Sequence, residues 1–476
     1  MAGGLKQDTV VAQRGTRHQA RSAAVPLGLL TDLYQLTMGA AYVQSGISET
    51  RASFELFVRR LPRARSYLVT AGLAQVLAYL AELRFTSAEI RFLRRHPLFR
   101  HAPPAFFERL RTLRFTGDVW AMPEGTIAFA DEPLLRIEAP LIEAQLVETF
   151  VLSMVNFQTT VASKAARIVQ AAAGRPVIEF GTRRAHTPYA GLYGARAAFI
   201  GGCVGTSNVA AGYEFDVPIY GTFAHSFVQA FPGESAAFHA FWETFREKTT
   251  LLIDTYDALQ GTERAARMPR PIASVRLDSG NFHTVTRQMR QILDQHGRPE
   301  IRIMASGDLN EYRIEDLSRL KAPIDSYGVG TELITSQDAP ALGGVYKLVE
   351  IERAGRHVGT AKFSSEKLSY PGRKQVYRRL EVVRGTSHSD LIARVAEPAP
   401  RDPRFKLLPL LRQVLKRGRP LRPAEDVRRA QARSRQQLEQ LPARFRRLVD
   451  AARYPVSHSP RLRALLQQVR GEEGDG

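Results

Sequence analysis

Polar side chains that could bind or transfer a charged group recur at one kind of place in this 476-residue chain, just past a short apolar run. Val217-Pro-Ile-Tyr220 reads as a buried strand; Gly221 then frees the backbone, and Thr222, His225 and Ser226 follow. Val177-Ile-Glu-Phe180 leads into Gly181-Thr-Arg-Arg184, and Ala198-Phe-Ile200 leads into the Gly-rich segment 201–208. Ile272-Ala-Ser-Val275 precedes Arg276-Leu-Asp-Ser-Gly280, Ile301-Arg-Ile-Met304 precedes Ala305-Ser-Gly-Asp308, and Ile324-Asp-Ser-Tyr327 precedes Gly328-Val-Gly-Thr-Glu332. Parallel α/β folds carry their chemistry at the carboxyl ends of their strands. One histidine or glycine at such a joint is ordinary turn or core chemistry. Six joints of the same kind predict a barrel-like or open parallel sheet with a single polar mouth.

Thr31-Asp-Leu-Tyr-Gln-Leu-Thr-Met38, Glu179-Phe-Gly-Thr-Arg-Arg184, Gly221-Thr-Phe-Ala-His-Ser226, Arg276-Leu-Asp-Ser-Gly280, Gly328-Val-Gly-Thr331 and Gly343-Gly-Val-Tyr-Lys-Leu-Val349 follow one another across about residues 26–400. The ordered set resembles the nicotinate phosphoribosyltransferases, which make nicotinic acid mononucleotide for NAD synthesis. The resemblance implies an irregular β/α barrel of the type II phosphoribosyltransferase kind with a second, discontinuous α+β domain. It implies nicotinate binding at Tyr34, Thr222 and Arg276, a phosphoribosyl contact at Thr331, and a His225 phosphorylated by ATP so that hydrolysis pulls transfer towards product. It also implies a homodimer with shared active sites, Tyr34 entering from the neighbouring subunit. Asn281 departs from the family's usual Asp-Ser-Gly-Asp, which removes one charge beside Asp278.

The residue types suit those roles. Glycines let backbone N–H groups approach a phosphate, so Ser306, Gly307, Gly330 and Thr331 are candidates for a phosphate cradle, as they are for plain turns. Transfer from phosphoribosyl pyrophosphate develops positive charge at the anomeric carbon. Asp278 could favour that charge and hold ribose hydroxyls, or simply make an Asx turn; Arg183 and Arg184 could hold departing phosphate oxygens. Nicotinate needs a flat apolar surface and a cation: Tyr34 can stack, Arg276 can pair with the carboxylate, and Thr222 can donate a hydrogen bond. Magnesium is expected with the pyrophosphate, held by substrate oxygens and water, as is ATP without a P-loop. Leu277 stands where amide-using relatives have proline, which favours nicotinate over the alternative, nicotinamide.

These joints need elements to hold them. Residues 1–25 read as a disordered tail. Residues 26–145, with about 356–400, read as an α+β domain: a helix from Leu33, a strand over 52–58 with Phe54, Leu56 and Val58 on one face, and short strands near 118–138. Leu141 to Ala173 is a long helical region, interrupted near Asn156. Residues 146–355 read as the barrel. The Pro-rich 397–403 marks a boundary, and 401–476 reads as a basic helical segment with a surface-lying helix over 425–441.

The formal net charge is +20, of which +11 lies in 401–476, +3 in 1–25 and +6 in the body. The body's excess suits a small polyanionic substrate. The basic C-terminal segment leaves open a non-catalytic nucleic-acid-binding protein, against a solvated helical face. The single cysteine, Cys203, excludes an internal disulfide and a cysteine zinc site, and fits a reducing cytoplasm. No membrane partner is expected, since no run of 18 apolar residues occurs.

Overall fold

The structure, a computed structural model, describes residues 26–63, 65–363 and 368–474. The tail expected over 1–25 lies outside them. The fold is α/β, with a parallel sheet and a separate antiparallel domain.

In the antiparallel domain the strand Arg51–Val58 pairs on one side with Gly344–Arg353 and on the other with Pro133–Pro140. Phe54, Leu56 and Val58 are buried as their alternation predicts, but the opposite face is buried too. Glu55 on that face is fully enclosed and paired with Lys374 at 2.9 Å. Because Gly344–Arg353 completes this sheet, the barrel segment ends before residue 344 rather than at 355. The helix Leu33–Gln44 begins at Asp32, whose carboxylate accepts a bond from Thr149 Oγ1 at 2.7 Å instead of capping its own helix. The helical region after Leu141 breaks at Val147, between Leu141–Leu146 and Glu148–Ala171, and runs unbroken past Asn156.

The second sheet is parallel throughout, in the order Gly205–Thr206, Val177–Glu179, Ser326–Val329, Arg302–Ser306, Ser274–Leu277, Thr250–Leu252. Ile219 extends one edge through a single bridge to Thr206. Thr222, three residues on, accepts a hydrogen bond from Arg276 near the opposite edge. Strands spaced ~4.8 Å apart would hold those residues more than ~20 Å apart in a flat sheet, so the sheet curls into a barrel-like wall. Phe223, next in the chain, is buried in the same hydrophobic cluster as Leu251, Leu252 and Val275 of the two strands at that edge.

Two expected strands are absent. Ala198–Ile200 ends the helix Pro188–Ile200, which Thr187 starts by accepting the Ala190 N–H at 3.1 Å with proline in the first turn. Val217–Tyr220 contributes only its bridge, and Ile219 and Tyr220 are exposed; Pro218 removes a donor that a ladder would need. Thr250–Leu252 forms a further strand, for which no expectation was drawn from the sequence.

Residues 401–476 are not purely helical. Phe405–Pro409 pairs with Lys374–Glu381, Arg412–Lys416 pairs with Asp118–Ala121, and Val456–His458 runs parallel to Ser387–Arg394. The helix Val427–Gln440 buries Val427, Ala430, Ser434 and Gln437, so it is half embedded rather than surface-lying.

Candidate active site

Parallel register sets the strand ends level. Leu252, Arg276, Met304 and Ser326 form one row; two residues further along, Ser306, Gly328, Ile178 and Gly205 form another. Four of the six joints read from sequence, those after Val177–Glu179, Ser274–Leu277, Arg302–Ser306 and Ser326–Val329, therefore share one edge.

Arg276 is the hub of that edge. Its Nη1 donates to Thr222 Oγ1 at 2.7 Å, and Nη2 lies 3.6 Å from Asp278 Oδ1. Burial pulls the guanidinium's pKa down and Arg183 adds to this, against the carboxylates of Asp278 and Asp254; a guanidinium stays charged regardless. Its Nε is buried with no hydrogen-bond partner among the described residues. A bound carboxylate would satisfy such a donor, whose unpaired burial costs ~1–3 kcal/mol.

Asp278 is held from two sides. Its Oδ1 accepts the Ser306 hydroxyl at 2.5 Å. Its backbone N–H donates to Asp254 Oδ2 at 2.9 Å, and Ser279 Oγ donates to the same oxygen at 2.8 Å. Gly307 is required beside it: φ is +97°, and a Cβ would stand 1.9 Å from the Asp278 carbonyl oxygen. Asn281 caps the following helix by accepting the Thr284 N–H at 3.2 Å, a role for which asparagine and aspartate are equivalent.

His225 opens the short helix His225–Gln229, and its Nδ1 lies 3.1 Å from Thr255 Oγ1. Nε2 has no hydrogen-bond partner among the described residues. Arg183 is exposed and donates to the Phe180 carbonyl at 3.4 Å, with its charge felt at Arg276. Gly330 precedes the one-turn helix Thr331–Ile334, and Thr331 stands exposed at its start. Gly328 lies so close to Ser306 that a Cβ there would be 3.2 Å from the serine Cβ. The Ser306–Gly307 and Gly330–Thr331 loops are thus neighbours.

Tyr34 is not part of this group. Its hydroxyl accepts a hydrogen bond from Gln35 and feels the charges of Glu148 and Asp32, and the side chain is 47% exposed.

Three residues with a part in this edge were not singled out from sequence. Asp254 and Thr255 follow Thr250-Leu-Leu-Ile253, an apolar run into a polar loop that carries the same signal as the other joints. Glu179 is fully buried, which pushes its pKa up. It accepts the Thr206 hydroxyl at 2.5 Å and also the Gly181 N–H, tying the loop that carries Arg183 to the neighbouring strand. Among the described residues no group of three or more His, Cys, Asp or Glu could hold a metal ion, and no helix is long and apolar enough to cross a membrane.

Three family descriptions match the chain in order: the nicotinate phosphoribosyltransferase N-terminal domain over 29–156, the nicotinate phosphoribosyltransferase family over 176–388, and the corresponding C-terminal domain over 402–466. The chain is 44% identical over 450 residues to nicotinate phosphoribosyltransferase pncB2 of Mycobacterium tuberculosis, covering 93% of this chain and 94% of that protein. It is 45% identical over 376 residues to the nicotinate phosphoribosyltransferase of Bacillus subtilis, covering 77% and 76%. Human nicotinic acid phosphoribosyltransferase superposes with a TM-score of 0.80 at 29% identity, covering 93% of this chain and all of that one. Nicotinate-nucleotide pyrophosphorylase from Pyrococcus furiosus superposes at 0.72 with 26% identity, covering 90% and 99%.

Proposed function

The chain belongs to the nicotinate phosphoribosyltransferase family, and on that premise we propose how it makes nicotinic acid mononucleotide for NAD biosynthesis. Nicotinate places its carboxylate on Arg276, with Thr222 fixing the guanidinium. Asp278, steadied by Ser306 and Asp254, holds the ribose and favours the positive charge that grows as the bond to pyrophosphate breaks and the bond to the pyridine nitrogen forms. Arg183 and the Ser306–Gly307 and Gly330–Thr331 loops take the phosphates. The single observation that carries this reading is the contact chain Thr222–Arg276–Asp278–Ser306, which sets a cation for the acid beside a carboxylate for the sugar. Magnesium would arrive on the substrate's phosphate oxygens and be completed by water, a donor set that asks for no cage of protein ligands.

ATP coupling runs through His225. With Nδ1 engaged by Thr255, Nε2 is the nitrogen able to take the γ-phosphoryl group, ADP leaving; later hydrolysis returns the free imidazole and phosphate. A homodimer in which the exposed Tyr34 completes the partner's site, in the cytoplasm, belongs to the same reading.

The test is product formation from phosphoribosyl pyrophosphate with nicotinate, nicotinamide or quinolinate, each with and without ATP. Nicotinate should be preferred and ATP should stimulate it. Arg276→Ala should weaken nicotinate use at least ~30-fold, from the ~2–5 kcal/mol lost when one partner of a buried charge pair is removed, while discriminating less against nicotinamide. His225→Ala should lose nicotinate-stimulated ATP hydrolysis and the acid-labile phosphate label, yet keep slow ATP-independent transfer. Full ATP coupling without His225 would remove it from that role.

A further inference from the structure

A hollow of about 420 Å³ is lined by residues 232–236, Tyr256 and Arg264. Small-molecule sites run to ~300–1,000 Å³. Its walls belong to the two segments that hold His225. The chain reaches residue 232 just after the helix His225–Gln229, and Tyr256 directly follows Thr255, whose hydroxyl meets His225 Nδ1 at 3.1 Å. The hollow shares no lining residue with the proposed nicotinate and phosphoribosyl contacts. Glu234 lines it and is only 3% exposed. One of its oxygens, Oε2, takes Arg264 at 2.5 Å; the other, Oε1, is enclosed and has no hydrogen-bond partner among the described residues. An enclosed acceptor left unpaired costs free energy that a ligand's O–H donor would recover. Tyr256 is exposed and stacks on no ring among the described residues. The helix Glu234–Phe245 begins at the hollow without a side-chain cap, so its first-turn N–H groups meet no capping oxygen.

We propose that this hollow holds the nucleoside end of the ATP that serves His225, with the base on the Tyr256 ring and a ribose hydroxyl donating to Glu234 Oε1. The inference rests on the reading that His225 takes its phosphoryl group from ATP. Burial raises the pKa of Glu234, Arg264 opposes this, and the negative charges of Asp254 and Asp257 add to it. Surroundings that already resist one negative charge suit a neutral base and ribose; the phosphates belong outside the hollow, on the His225 side. A metal ion does not fit the hollow, since among the described residues no group of three or more His, Cys, Asp or Glu could hold one. In this pose the Nε2 lone pair forms the bond to the γ-phosphorus as the bond to the bridging oxygen breaks, and ADP leaves with that electron pair.

ADP with magnesium is the probe, titrated into the full-length protein by calorimetry and located by hydrogen exchange. Wild type should bind it, adenosine alone should compete for the same site, and the amides of 232–236 and 256–264 should gain protection. Tyr256→Ala should weaken ADP binding at least ~10-fold and raise the KM for ATP by a like factor, because base–aromatic stacking is lost. Tyr256→Phe keeps the ring and should bind ADP as wild type does. The side chain is exposed, so both variants should fold. The proposal is overturned if wild type binds no ADP at about 1 mM, if adenosine does not displace ADP, or if Tyr256→Ala binds as tightly as wild type. It is equally overturned if protection appears only in the loops at 276–280 and 306–331, which would put the whole nucleotide in the phosphoribosyl mouth. The reading of His225 fails separately: a wild type that binds ADP through Tyr256 yet takes no acid-labile label from ATP keeps the nucleoside site and loses the phosphohistidine.

Discussion

At the scale of single residues, Glu179 does more than its place in a sequence motif conveys. One enclosed carboxylate fixes Gly181, which begins the Arg183 loop, and Thr206, whose backbone also bonds the segment leading to Thr222. Glu179→Ala would leave the Gly181 N–H and the Thr206 hydroxyl unpaired in the interior, at ~1–3 kcal/mol each. The expected result is a lower melting temperature and a higher KM for phosphoribosyl pyrophosphate. Glu179→Gln retains an acceptor and a donor in nearly the same shape, and burial already disfavours the charge it removes, so it should recover most of both losses. If the alanine and glutamine variants behave alike, the carboxylate is not positioning these loops. The types of the site residues were legible in the sequence because they fall after apolar runs. Their contacts were not: Arg276 binding Thr222 across 54 positions depends on the curl of the sheet, which no local pattern encodes.

At the scale of elements, turns and ion pairs set the site. The tight approach of residue 307 to Asp278 makes Gly307→Ala a backbone collision as well as a strained φ. It should cut turnover by about 100-fold or more by displacing the carboxylate, as misplacements of an ångström do. Gly297 has φ +68° but open space, so Gly297→Ala should cost only ~1 kcal/mol of stability and leave turnover intact. Behind the Thr331 helix, the buried Lys164 pairs with Glu311 at 2.6 Å and Asp338 at 2.9 Å, and Asp338 also takes Arg65. Burial opposes ionisation of Asp338, but Arg65 and Lys164 outweigh it and hold the carboxyl well below its usual range. Its stabilising contribution is therefore complete above the unfolded value of ~3.9 and is lost as pH falls from there towards the folded value. Urea midpoints should show Asp338→Asn weaker than wild type at pH 7, with the gap narrowing on acidification below pH ~4. Parallel pH profiles for the two proteins would contradict this. None of these pairs was legible beforehand, since their members come from segments more than 140 residues apart.

At the scale of the whole molecule, the C-terminal residues decide whether the chain is two domains plus an appendage or one interlocked body. Charge and helical periodicity suggested the appendage, because short strands such as Arg412–Lys416 and Val456–His458 carry little pattern and gain their identity from the sheets they join. The structure threads them through the rest. Arg378, almost fully enclosed, donates to Asp390, to the Ile127 carbonyl and to Gln437, while Tyr454 donates to Asp390 at 3.1 Å. Asp390 and Glu132 draw its proton affinity upward against the cost of burial. Removing Gln437 and Tyr454 would take two members out of that network, and partly dismantled buried networks are strongly unfavourable. Truncation at residue 400 would also delete Leu410, Leu411, Leu415, Phe445, Leu448 and Tyr454 from the cores. At ~1.5–3 kcal/mol for each large buried side chain, the loss reaches the ~5–15 kcal/mol that holds a typical domain together. The truncated chain should therefore fail to fold rather than merely shed an appendage: insoluble on expression, or soluble without a cooperative thermal transition and without turnover. A soluble 1–400 protein that melts cooperatively and makes nicotinic acid mononucleotide would show that these strands and the helix Val427–Gln440 decorate the fold instead of completing it.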